Sequence, residues 1–150
     1  MSAWRRVAIE KFADFREEVE QSESLGMLWV DLYFRFLRAH EEPVNHELIR
    51  RCYDYAWWCL NESRNKDVAA QAGMGFYENL PKDRVVRERM AEHLTTQDFN
   101  KVAPYCSYFL TPAEFSLFCE EFRQRREEIE QKRRKRGRKR GGAHPPSVIR

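Results

Sequence analysis

Apolar positions recur at spacings of three and four along nearly the whole chain, and alternation of apolar and polar residues never runs for more than a few positions. The pattern predicts an all-α fold. In the first segment Trp4, Ala8, Phe12, Phe15 and Val19 form one stripe, with Arg5, Lys11, Arg16 and Glu18 elsewhere, as in an amphipathic helix. After the polar QSES, Leu25, Leu28, Trp29, Leu32 and Phe36, flanked by Met27, Val30, Tyr33 and Leu37, cover more than one face. This second helix stops before Pro43 and is expected to be the most buried. A third begins near Asn45, a good N-cap residue, with Leu48, Ile49, Cys52, Tyr53, Ala56, Cys59 and Leu60 inward. A fourth runs from about Lys66 to Leu80, where Pro81 ends it. Gly73 and Gly75 within it cost roughly 1 kcal/mol each relative to Ala, so they mark either the close approach of a neighbouring helix or a break.

Asp83 can cap a fifth helix bearing Val85, Val86, Met90 and Leu94, and TTQD restarts the chain into a sixth that Pro104 bends or interrupts. The clearest local signal is Thr111-Pro112-Ala113-Glu114: a capping hydroxyl, a proline at the first helical position and a glutamate three residues after the cap. A helix therefore begins at Pro112, with Phe115, Phe118, Phe122 and Ile129 inward, and beyond Glu130 only charge remains. The expected architecture is a compact bundle or helical-repeat-like array of about six to seven helices. One α-helical domain spans residues 1–131, and a basic, disordered tail spans 132–150, disordered from about Gly137.

Charge sharpens that division. The net charge of +3 conceals an acidic body: all 24 Asp and Glu lie in residues 1–131 with 18 of the 27 Lys and Arg, which leaves −6, while the last 19 residues carry +9. Eight of those cations fill nine positions: Lys132, Arg133, Arg134, Lys135, Arg136, Arg138, Lys139 and Arg140. A run of this kind suits a polyanion, since each phosphate it neutralises releases condensed counterions whatever the order of the residues. Arg136-Gly137-Arg138 resembles the core of an AT-hook, but Lys139 stands where that motif has proline, so a loose polycation is the favoured mode. The tail carries no aromatic or long apolar side chain among its charges to anchor it in a membrane. A solubilising end, or one that folds back on the acidic body, would have the same composition.

Catalytic chemistry has little purchase. Cys52, Cys59, Cys106 and Cys119 are widely spaced, and no apolar segment of signal type follows the start, so the chain reads as a cytoplasmic protein with reduced thiols. His40, Glu41, Glu42 and His46 straddle a loop rather than share a helix face, and a metal there is not expected. His93 with Cys106 is the one pair of base and thiol worth naming. The glycines of GMG at 73–75 lack the Lys-Ser/Thr that a phosphate loop requires. No catalytic residue, metal or cofactor is assigned.

The cluster YDYAWWC places Tyr53 and Trp57 on one side of a helix while Tyr55 and Trp58 point elsewhere. Either this helix is central and contacted on several sides, or part of the cluster is a surface anchor for a partner protein, with Tyr55 and Trp57 as candidates and Trp57 the more exposed. From Trp29 to Arg123 the order LWVDLYFRFL, IRRCYDYAWWCLNE, a polar break, GMGFYENLP and finally LTPAEFSLFCEEF resembles an uncharacterised family of small bacterial all-helical domains of unknown function. The resemblance implies a bacterial cytosolic helical domain and transfers no catalytic residues.

The expected function is a non-enzymatic helical interaction module tethered to nucleic acid, without sequence preference, by its basic tail. The alternative is a protein-binding adaptor or inhibitor whose tail is solubilising or directed to an acidic protein. An enzyme of undetected type is the third possibility.

Overall fold

The computed structural model describes residues 1–141, with side chains through Arg140. Among these residues every regular element is helical: α1 (Ala3–Lys11), α2 (Arg16–Gln21), α3 (Leu25–Ala39), α4 (His46–Trp57), α5 (Lys66–Gly75), α6 (Arg84–His93), α7 (Thr96–Cys106) and α8 (Pro112–Gly141). Tight 3₁₀ turns at Ala13–Phe15 and Tyr77–Lys82 and a π-helical turn at Trp58–Glu62 join them. Short polar side chains start most of the helices. Ser24 accepts from the Met27 amide, Asn45 from Leu48, Asn65 from Asp67 and Val68, Asp83 from Val86 and Thr95 from Asp98. Each bond satisfies an amide that has no partner within the first turn.

The first helix is shorter than its stripe. Phe12 leaves helical geometry at φ −126°, ψ 49°, and α2 turns back so that the Arg5 guanidinium donates to the carbonyls of Val19, Glu20 and Ser22 at 2.7–2.9 Å. Those carbonyls lie at the end of α2, where helix geometry leaves acceptors open; Val19 O also accepts from the Ser22 amide at 3.3 Å. The turn also stacks Phe12 on Phe15 at 5.1 Å.

The core gathers around α4, which has packing partners on two sides. Trp29 of α3 is fully buried, with Tyr55 and Phe76 each 5.3 Å away. On the other side Tyr53 meets Phe36 and Phe76 edge-on and stacks on His93 at 4.9 Å. The glycines of α5 show both behaviours expected of them. A Cβ on Gly75 would lie 2.6 Å from that of Trp29, and one on Gly73 would lie 2.8 Å from the Tyr105 ring, so two neighbours do approach closely. The α-helix also ends at Gly75, before Leu80. α3 carries six buried residues, but its second apolar face is left open: Met27, Val30 and Phe34, spaced by three and four opposite Leu28, Leu32 and Phe36, are exposed.

α8 runs beside α6 in the same direction, since Arg87 donates to Glu121 at 2.8 Å and Arg126, further along, to the Ala91 carbonyl at 2.9 Å. The helix does not end at Gln131. It continues through the basic run to Gly141, which places Gly137, where disorder is expected to begin, inside a helix. Lys and Arg are good helix formers, and cations in a last turn complement the macrodipole. Gly137 costs only its own propensity, for nothing lies within 4 Å of where its Cβ would be. The rest of the expected tail, 142–150, lies outside the described residues.

Candidate nucleic-acid interface

The basic run is held by everything that fixes α8. Thr111 and Glu114 close the capping box in both directions: the Glu114 amide donates to Thr111 Oγ1 at 3.2 Å and the Thr111 amide to Glu114 Oε1 at 3.1 Å. Those bonds hold the Glu114 carboxyl below its usual range. Two turns on, Phe122 stacks on Phe99 of α7 at 3.8 Å and Phe118 tilts against the same ring. Arg126 is buried, and its bond to Ala91 fills an open carbonyl near the end of α6. Ile129 is the last apolar side chain packed against the core.

From Gln131 to Arg140 every residue is exposed, so this part of α8 projects as an arm of about three turns, roughly 15 Å at 1.5 Å per residue. Helical spacing sorts its cations. Lys132, Lys135, Arg136, Lys139 and Arg140 fall at i, i+3, i+4, i+7 and i+8 on one side, while Arg134 and Arg138 lie on the other and Arg133 on the flank. At the base of the arm Lys132, Arg133 and Arg136 line a groove with Glu92 and Ile129. Helical geometry also corrects the AT-hook likeness. That motif lies extended in a minor groove, whereas Arg136 and Arg138 on a helix diverge by about 200°.

The proposed protein-binding aromatics fare otherwise. Tyr55 is wholly buried, its hydroxyl donating to the Trp4 carbonyl at 2.8 Å and its ring set against Phe12, Trp29 and Trp58; it is no surface anchor, because α4 is covered on that side by α1 and α3. Trp57 is only half-buried, with the Lys101 ammonium 5.5 Å from its ring centroid. More exposed apolar side chains lie elsewhere, clustered in the α3 stripe and in Tyr108 and Phe109 of the loop before α8, with Met74, Val85 and Leu117 exposed singly. The spacing of Met27, Val30 and Phe34 was the available signal for the first.

The weaker chemical candidates come apart. His40 is buried, with Nδ1 2.7 Å from the Phe36 carbonyl, and burial lowers its pKa; His46 is exposed. Among the described residues no group of three or more His, Cys, Asp or Glu is placed to hold a metal ion. Burial pushes the Cys106 thiol up to about 12 and the His93 imidazole down to about 4, with His40 and His46 adding to the second shift. A nucleophilic thiol needs the opposite shift.

Comparison with known proteins finds no matching family model, no matching curated protein and no matching solved structure. Among the described residues no helix is long and apolar enough to cross a membrane.

Proposed function

We propose that this chain is a non-enzymatic, cytoplasmic nucleic-acid-binding module whose grip is the projecting basic end of α8. The observation that carries the reading is the all-round exposure of residues 131–140 on a helix whose earlier turns are locked into the body. A helix of about 10–12 Å diameter fits a duplex major groove about 12 Å wide, and cations on one side of it reach phosphates along the groove wall. Nothing in the arm distinguishes one base from another better than its charges bind any backbone, so binding is independent of sequence. The resemblance to a bacterial family of helical domains agrees with a cytoplasmic setting and adds no activity. Purification from the native host with and without nuclease tests the reading. Nucleic acid in the untreated eluate supports it, and its absence at low salt counts against it.

A second reading, an adaptor whose arm meets an acidic protein, is favoured by the exposed Met27, Val30 and Phe34 of α3. Under that reading a protein remains bound after nuclease treatment and is lost on Phe34→Asp.

A further inference from the structure

We propose that the loop residues Tyr108 and Phe109, with the cationic cleft between α6 and α8, form a stacking site for unpaired bases, so that the nucleic acid held by the arm is single-stranded where it crosses the body. The inference rests on the nucleic-acid reading and adds the class of ligand. The cleft, of about 410 Å³, is lined by Lys82, Arg84, Arg87 and Arg125 against only two carboxylates, Glu88 and Glu121. Arg84 pairs with Glu88 at 3.0 Å and Arg87 with Glu121 at 2.8 Å. Among the described residues no carboxylate pairs with Lys82 or Arg125: Lys82 donates only to the neutral Asn79 Oδ1, at 3.0 Å, so the charge of both cations is left for an incoming phosphate.

Two rings stand beside them. Tyr108 is 70% exposed and Phe109 54% exposed, edge to face at 4.8 Å. The Lys82 ammonium lies 3.8 Å from the centre of the Phe109 ring, so one cation both lines the cleft and touches the aromatic pair. The loop is fixed at both ends. The Leu110 amide donates to the Ser107 carbonyl at 3.0 Å, the Ser107 hydroxyl to the Pro104 carbonyl at 2.7 Å, and the Thr111 capping box follows at once. Rings held in water on a short, pinned loop need no reordering to receive a flat partner.

Proteins that bind single strands combine a positive groove for the backbone with aromatic faces for the bases, and every base has a face to offer. A duplex keeps its bases stacked inside and offers such rings little. The cleft and the arm share one edge of α8. Arg125, Lys132, Arg136 and Lys139 follow one another along one edge of α8 at spacings of seven, four and three.

The test uses the full chain, the double variant Tyr108→Ala/Phe109→Ala, and the chain cut after Gln131, each titrated with a labelled oligothymidylate of about 20 nucleotides and with a duplex of the same length. Both replaced rings are exposed, so the fold is retained, which circular dichroism checks. The double variant is expected to bind the single strand at least about fivefold more weakly and the duplex within about twofold of the parent. That ratio should persist as salt is raised, because stacking releases no counterions. No loss for the single strand, or an equal loss for both ligands, overturns the stacking site, and the arm reading still stands if the cut after Gln131 abolishes binding. If the full chain binds neither ligand at low salt, both fall.

Discussion

Replacing the helical glycines one at a time separates their roles. An alanine at 75 puts its Cβ 2.6 Å from Trp29 Cβ and 3.0 Å from Cγ, where carbon atoms prefer about 3.5–4.0 Å. The first two atoms of the Trp29 side chain cannot swing aside, and its indole is fully buried between Tyr55 and Phe76. The helices α3 and α5 must therefore separate, and overpacking of this kind costs about 1–3 kcal/mol. Gly75 ends α5, so the gain in helix propensity is below the roughly 1 kcal/mol of an interior site. A net loss of about 1–2 kcal/mol follows, or about 2–8 °C in Tm for a chain of this size. At 73 the clash is with Tyr105 ring carbons at 2.8 and 3.1 Å. That half-buried ring can turn, and the change is expected within about 0.5 kcal/mol of neutral. At 137 nothing lies within 4 Å, so alanine is expected to raise helicity without altering the core. Urea unfolding followed by tryptophan fluorescence reads the first two, and far-ultraviolet dichroism reads the third. A Gly75→Ala protein as stable as the parent would refute the packing of α5 on α3.

Thr111→Ala removes one half of the reciprocal cap on α8 and is expected to cost about 1 kcal/mol; no measurable loss in urea unfolding would mean the cap contributes nothing. Acid should destabilise the fold through His93. Its folded pKa of about 4 lies below the unfolded value of about 6.5, so the unfolded state takes up the proton first. Stability is then unaffected above about pH 6.5 and falls as pH drops towards 4. The ceiling is about 3.4 kcal/mol, which the partial exposure of His93 reduces to about 1.5–2. His93→Phe should flatten the profile of Tm between pH 7 and 4.5 relative to the parent, and an unchanged slope would show that another group governs it. The arm holds like charges at i, i+4, such as Lys132 with Arg136 and Lys135 with Lys139, and these oppose its helix. Helicity should rise when an oligonucleotide neutralises them, and no rise in the full chain beyond that of one cut after Gln131 would mean the arm is not the responding element.

Local signals are legible in the sequence because they act within a turn or two. Asn45, Asp83 and Thr111-Glu114 cap their helices as their chemistry requires. The break at Phe12 was hidden because its cause is tertiary: Arg5 reaches carbonyls more than a dozen residues away. The burial of Tyr55 is illegible for a similar reason. A helix covered on two sides buries residues that point in different directions, and sequence spacing does not count a helix's neighbours. Met27, Val30 and Phe34 show the converse, an apolar stripe that none of the other described elements covers. In the basic run, composition revealed the cations, but like-charge density argued for disorder while propensity and the macrodipole favour continuing a helix already anchored by Arg126 and Ile129.

The central claim is that the exposed end of α8 is the grip on nucleic acid. It is tested most directly by fluorescence anisotropy of a labelled duplex of arbitrary sequence, with the full chain and with a chain ending at Gln131, across a range of salt. Five cations share one side of the arm, and each phosphate contact contributes about −0.9 to the slope of log K against log salt, so the full chain is expected to show a slope of about −4 to −5. The shortened chain should bind at least about a hundredfold more weakly at low salt, with a slope no steeper than about −2, the contribution left to Lys82 and Arg125. Equal affinities and equal slopes for the two chains would contradict the account.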